Sequence, residues 1–456
     1  MSEVDKEVLV EKEIPKEQAE VKEEPVAAEL PKEQPEDENN EDEEKVSEKK
    51  KKKKKKSKKK FTGSILPELR CIGGYVDWYV RSGQTADLQT PLDAIYGKNY
   101  PAGRVDYYVE TDTRKRITDE EARIRDSCYE DQIECYRKAA EVHRQARSYI
   151  QGKIKPGMKL YDICCDVEDR VRHLIKENGP LAGMGFPTGC SINNCAAHYT
   201  PNPGDDTVLN QGDVVKFDFG TQVNGYIIDS AFTIAFDPQF DELLLASKEA
   251  TYAGIREAGV DARLGEIGGI IEEVISSHEV TIRGRTYPIR PVRNLSGHTV
   301  AQGTIHAGKS VPLIREEGHE RMLEGEVYAI ETFASTGQGM VVENGECSHF
   351  ALVPEQYAML RTQKAKALLA HIRKTFGTLP FCPRWLVRPD GGSFAVNGDK
   401  GQQKMYQGAL RSLVEQGVVR DYLPLSDHRG SYVSQWEHTL ILKSHSKEVL
   451  SWGTDY

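Results

Sequence analysis

Twice along this chain a pair of helix-period patterns is followed by strand-like runs, and that doubling constrains the fold more than any other feature. The first pair covers about 118–152 and 162–178, the second about 240–258 and 264–277. Strand-like runs follow the first pair at 214–220 and 226–236, and the second at 326–333 and 434–442. Thr118 and Glu121 fit a capping box that opens the first helix. Ile163, Val167, Val171 and Leu174 form the apolar stripe of the second, which is expected to stop at Gly179. The connectors inside the two pairs, Lys155-Pro-Gly-Met-Lys-Leu-Tyr-Asp162 and Gly259-Val-Asp-Ala-Arg-Leu-Gly-Glu266, are comparable. The implied class is α+β, with duplicated helix-helix-strand halves folded around one central sheet.

Other segments stand outside the repeat. Residues 354–429 separate the last two strand runs. They carry helix patterns at 362–376 and 403–416 and a Gly/Asp-rich loop at 390–401, and read as a small inserted subdomain. Residues 61–115 read as a loop-rich N-terminal extension of a catalytic domain that runs from 116 to 456. Residues 1–60 hold 19 acidic and 17 basic side chains and no aromatic one, too little apolar surface to offset the entropy of ordering. They are expected to be a disordered leader. Its charge is sorted, acidic over Glu36–Glu44 and lysine over Lys49–Lys60 with Ser57 the one interruption. A lysine block of this kind serves as a solvated tail, a nuclear-import signal or a contact to a polyanion such as RNA. Nine cysteines, odd in number and without regular spacing, suit a reducing compartment. The first thirty residues lack a signal-peptide core and no stretch reaches the length of a membrane span. A cytoplasmic location with no membrane contact is expected.

Two acids on one expected hairpin carry the chemistry. In Val215-Lys-Phe-Asp-Phe219 the alternation turns Asp218 away from the face of Phe217 and Phe219. Asn224-Gly225 is a strong two-residue hairpin signal. If it closes the turn, Val223 pairs with Tyr226, Asp218 lies opposite Ala231, and Asp229 sits diagonally from Asp218 on the same face; a longer loop would shift this register. Each acid alone reads as a solvent-facing position, yet both lie in apolar segments. Two buried carboxylates on one face repel each other and resist ionisation unless a cation neutralises them. Glu331, Glu437 and His298 sit in similarly apolar or Gly-defined settings. Two Asp, two Glu and one His suit Mn, Fe, Co or Zn and match copper or iron–sulfur poorly.

The order Asp218, Asp229, His298, Glu331, Glu437 resembles the ligand set of the pita-bread metallopeptidases, with Asp229 eleven positions after Asp218. Within that group the type 2 methionine aminopeptidases are matched more closely. The carrying blocks are Phe186-Pro-Thr-Gly-Cys-Ser-Ile-Asn-Asn-Cys-Ala-Ala-His198-Tyr-Thr-Pro-Asn202, Lys216-Phe-Asp-Phe-Gly-Thr221, Gly325-Glu-Val-Tyr-Ala-Ile-Glu-Thr-Phe333 and, after Gly430-Ser-Tyr432, Gln435-Trp-Glu-His-Thr439. The resemblance extends from about Arg116 to Tyr456 and includes the insert, which in that family is a small helical, winged-helix-like subdomain. It implies a pita-bread fold with a central antiparallel sheet and two divalent metal ions bridged by Asp229 and Glu437. It also implies substrate-facing histidines at His198 and His306, and a methionine pocket lined by Phe186, Gly189, Ile305, His349 and Tyr422. Ser296 and Ala351 stand where relatives commonly carry Asn and Met, which implies a roomier pocket.

The implied activity is removal of the initiator methionine from nascent proteins with a small second residue, through a metal-bridging hydroxide, by a monomer. Glu331 would act as general acid/base and His198 would hydrogen-bond the scissile group. The lysine-rich leader would tether the enzyme to ribosomal RNA. Two other readings compete: another pita-bread enzyme, such as a proline dipeptidase or an aminopeptidase acting before proline, and a catalytically silent binding module of ribosomes or RNA that keeps the fold. The type 2 blocks oppose the first, and the complete ligand set opposes the second.

Overall fold

The computed structural model describes residues 76–108, 120, 121, 124, 129–388 and 400–456, with no side-chain account for 76–78 and 400–405. The leader 1–60, the capping box at Thr118 and most of the 390–401 loop lie outside the described residues. All the described residues belong to one unit, Phe61–Tyr456.

In the first half, helices α1 (Glu130–Gln151) and α2 (Leu160–Ile175) precede strands β1 (Ala182–Ile192), β2 (Val214–Val223) and β3 (Tyr226–Ala235), which form a three-stranded antiparallel sheet in that order. Helix α2 buries the expected stripe completely. It ends at Ile175, where Lys176 takes a left-handed conformation (φ +56°), so the stop lies before Gly179. Lysine pays a small steric penalty there that glycine would not. Helix α1 is buried on every side over its last three turns, charged residues included. Arg147 is paired with Asp455 at 2.7 Å and Arg144 with Glu141 at 2.8 Å, which is what permits their burial.

The second half repeats the plan. Helices α3 (Asp241–Glu257) and α4 (Leu264–Ser276) precede β4 (Ser296–Val300), β5 (Val327–Ser335), then β6 (Val433–Leu442) and β7 (Ser446–Val449). The larger antiparallel sheet runs Arg104–Tyr107, β7, β6, β5, β4, Ser310–Pro312. The 61–115 extension is therefore not all loop, since one of its segments supplies an edge strand. The duplication is visible in backbone hydrogen bonds. Leu209 N donates to Met158 O just before α2, and Met322 N donates to Ala262 O just before α4. In each half a strand carrying a candidate acid, Asp218 or Glu331, starts five residues after that donor, at Val214 and at Val327.

The two half-sheets meet along β3 and β6 through hydroxyl groups. Thr439 Oγ1 accepts from Asp229 N at 2.8 Å and donates to Asp229 O at 2.6 Å. Thr233 Oγ1 does the same for Gln435, accepting from its N at 2.8 Å and donating to its O at 2.6 Å. Ser230 Oγ donates to Glu437 O at 2.7 Å. These side chains satisfy the backbone groups that a ladder would otherwise pair.

The insert follows the strand His349–Leu352. It comprises α5 (Gln363–Thr375), capped by Thr362 through a bond from Ala365 N, the short α6 (Pro383–Leu386), α7 (Lys400–Glu415) and the strand Val419–Tyr422, which pairs with His349–Leu352. Helices α5 and α7 pack together beside this two-stranded wing. No helix among the described residues is long and apolar enough to cross a membrane.

Thr233→Val is expected to leave Gln435 N and O buried without partners and to lower stability by about 1–3 kcal/mol. Urea unfolding of the purified variant against the parent would measure it, and an unchanged midpoint would show that the seam is not held by this hydroxyl.

Candidate metal centre and substrate pocket

The β2–β3 hairpin has the expected register: Val223 pairs with Tyr226, Asp218 with Ala231, and Asp229 faces Gly220. Asn224 and Gly225 both have positive φ (+52° and +81°), as a two-residue turn of the favoured twist requires. Phe217 and Phe219 are fully buried on the opposite face, so Asp218 points into the cavity. From the other half-sheet Glu331 on β5 pairs directly with Glu437 on β6, and His298 on β4 lies beside Ala329. The seam brings these two sets together. Atoms of Asp229, His298 and Glu437 lie within 4.8 Å of one another. His298 Nε2 is 3.5 Å from Asp229 Oδ2 and 3.8 Å from Glu331 Oε1.

The electrostatics are those of a site built for a cation. Burial raises the Asp218 carboxyl to about 6. Burial, then the charges of Asp218 and Glu331, hold Asp229 well above the usual carboxylate range. Burial and Asp218 do the same to Glu331, and burial and Asp229 to Glu437. Burial, with His306 beside it, pulls His298 down to about 3, which leaves its imidazole neutral and free to act as a ligand. Asp218 Oδ1, Asp229 Oδ1 and both carboxylate oxygens of Glu437 are buried without a hydrogen-bond partner. Such orphaned oxygens, beside one neutral imidazole, fit divalent cations of the Mn, Fe, Co or Zn type.

These residues line one wall of a cavity of about 410 Å³, and Phe186, Gly189, His198, Ile305, His306, His349 and Tyr422 line it too. A Cβ at Gly220 would lie 2.4 Å from the Phe186 ring, so glycine opposite Asp229 is what lets this aromatic wall settle beside the acids. His198 is left-handed (φ +64°), a conformation that few residues bearing a Cβ adopt. Its ring centroid is 6.0 Å from those of both His349 and Tyr422. Burial lowers His198 to about 4. His306 sits nearer the mouth, its ring edge-on to His298 at 4.3 Å. Ser296 lines the cavity, whereas Ala351 sits on the insert's wing opposite Arg420 and is not among the lining residues.

Sequence reading missed Gln435. Its Nε2 donates to Asp218 Oδ2 and to Glu331 Oε2, both at 3.1 Å, and so ties one acid from each half-sheet. Its position two residues before Glu437 on the same strand was the available signal, since alternate residues share a face.

The raised carboxyl groups fix a sign. Between the unfolded value near 4 and the higher folded values, the native cluster holds protons that the unfolded chain has released, so these groups oppose folding more as pH rises. A bound cation displaces those protons. The rise in Tm produced by adding manganese to metal-stripped protein is therefore expected to grow from pH 5 to pH 8, with proton release seen calorimetrically in buffers of different ionisation heat. A manganese effect that shrinks over that range would contradict the assignment.

Residues 134–351 match the model of metallopeptidase family M24, a span that contains four of the five candidate ligands. Methionine aminopeptidase 2 of Schizosaccharomyces pombe is 49% identical over 375 residues, which is 82% of this chain and 85% of that protein. The protein of the same name from Schizophyllum commune is 49% identical over 362 residues, 78% of this chain and 82% of its own length. Among solved structures a thermophilic Arx1 superposes with a TM-score of 0.59 at 20% identity, covering 72% of this chain and 92% of that one, a likeness of fold alone. Identity near one half over four fifths of the length reaches well beyond fold: the chain belongs to the methionine aminopeptidase 2 family, metal-dependent peptidases with the pita-bread fold.

Proposed function

We propose that this chain removes the initiator methionine from nascent polypeptides whose second residue is small. The observation that carries the reading is the shared cavity, in which an acid-and-imidazole cluster forms one wall and Phe186, Ile305 and Tyr422 form an apolar slot beside it. Asp218, Asp229, His298, Glu331 and Glu437 would hold two divalent ions, drawn from Mn, Co, Fe or Zn. Bound there, such ions polarise a carbonyl and bring the pKa of water towards neutrality.

The chain's own groups do the rest. Phe186, Gly189, Ile305, His349 and Tyr422 receive the thioether side chain and exclude water from it. Glu331 takes a proton from the attacking water and returns it to the leaving amide nitrogen. His198 hydrogen-bonds the scissile carbonyl as negative charge develops on its oxygen. His306, at the mouth, orients the peptide that leaves the cavity. Retention of all five acid and imidazole positions weighs against a silent binding module.

Asp229→Ala is expected to abolish methionine release from a Met-Gly-Met peptide and to lose bound metal, with circular dichroism unchanged. Near-parental turnover with full metal content would reject the assignment.

The division into a leader (1–60), an extension (61–115) and a catalytic domain (116–456) with an insert at about 354–429 is part of the same proposal, as are a monomeric state and a cytoplasmic location. The lysine block Lys49–Lys60 would hold the enzyme at the ribosome by releasing counterions from ribosomal RNA. A chain starting at Phe61 is expected to keep parental peptide kinetics and to lose ribosome co-sedimentation, while the full chain detaches steeply as salt rises. Equal co-sedimentation of both forms would remove the leader's role.

A further inference from the structure

We propose that Ser348, and through it Arg384 of the insert, are positioning residues that hold His198 in its left-handed conformation. The inference rests on the reading that His198 acts on the substrate. Ser348 Oγ lies 3.2 Å from Thr200 N, 3.4 Å from His198 O and 3.3 Å from His349 Nδ1. A hydroxyl donates once and accepts twice. It therefore donates to the His198 carbonyl and accepts from Thr200 N and from a proton on His349 Nδ1. One hydroxyl thus holds the backbone on both sides of Tyr199, at the carbonyl of His198 and the N–H of Thr200.

Thr200 is held in turn from the insert. Arg384 Nη1 donates to Thr200 Oγ1 at 2.9 Å and to Pro201 O at 2.8 Å. Its other face meets Glu168 of α2, and both side chains are 1% exposed. Glu168 also accepts from Trp385 Nε1 at 2.7 Å and from Thr188 N at 3.2 Å. Thr188 lies where the β1–β2 register shifts, between Phe186 and Gly189. A backbone N–H released by that irregularity has gone to the carboxylate that anchors the insert. The insert therefore reaches two walls of the cavity through one buried ion pair, and the strained histidine lies at the end of the chain of contacts.

Removing Arg384 outright would strand the buried Glu168 charge, so Ser348→Ala, which deletes one hydroxyl, carries the test. Methionine release from a Met-Gly-Met peptide is measured on manganese-loaded protein in the parent and in a His198→Ala background, with metal content and Tm alongside. Ser348→Ala is expected to lower kcat about tenfold with KM and metal content nearly unchanged, and to change kcat less than about twofold once His198 is already absent. Arg384→Lys, which keeps the charge and loses the fork, is expected to shift kcat in the same direction by less. Unchanged kcat in Ser348→Ala while His198→Ala is impaired would overturn the positioning role. An equal loss in both backgrounds would overturn it too, as the mark of a merely structural residue. Parental turnover in His198→Ala would instead remove the reading on which the inference rests, and the inference with it.

Discussion

Two half-sheets meet through the hydroxyls of Ser230, Thr233 and Thr439, and the site depends on that meeting. The residues they bond, Asp229, Gln435 and Glu437, are those whose side chains face the cavity. Each of these threonines both donates and accepts, so the backbone groups at the seam are paired without a ladder. Its consequence is electrostatic. Carboxylates from two separate sheets are pressed into one buried cluster, where burial and mutual repulsion favour their protonated forms. Stability and function then share one cause, because the cation that catalysis needs is also what relieves the repulsion.

The substrate slot is built on the same frame. Gly220 sits opposite Asp229 and gives way to the Phe186 ring, so the apolar wall and the metal wall are adjacent by strand register. The insert closes the other side with His349 and Tyr422, which pair across its two-stranded wing. His198 faces both from an uncommon backbone conformation. A residue held against its conformational preference gives a fixed direction to its ring, provided the surroundings hold it there.

Much of this was legible in the sequence where the code is local. Asn224-Gly225 and the alternation around Asp218 fixed the hairpin register, and the apolar stripe of the second helix located its buried face. Asp218, Asp229, His298, Glu331 and Glu437 stood out by their apolar or Gly-defined settings, Phe186, Gly189, Ile305, His349 and Tyr422 came from the resemblance, and all of them line one cavity. Long-range facts were not legible. The sequence of α1 does not announce that its charged residues are buried; that follows from Asp455 and Tyr456 folding back over Arg147, three hundred residues away. Gln435 was missed because a glutamine in a strand carries no signal until both of its carboxylate partners are in place. The end of α2 was misjudged because a lysine, and not the nearby glycine, adopts the left-handed cap.

The central claim is that the buried acids of both half-sheets enclose divalent ions. The most direct measurement is anomalous diffraction at the manganese edge from crystals of metal-stripped, manganese-soaked protein. Anomalous density is expected inside the cavity, among Asp218, Asp229, His298, Glu331 and Glu437. No peak among these residues, in crystals whose dissolved protein still releases methionine, would contradict the account.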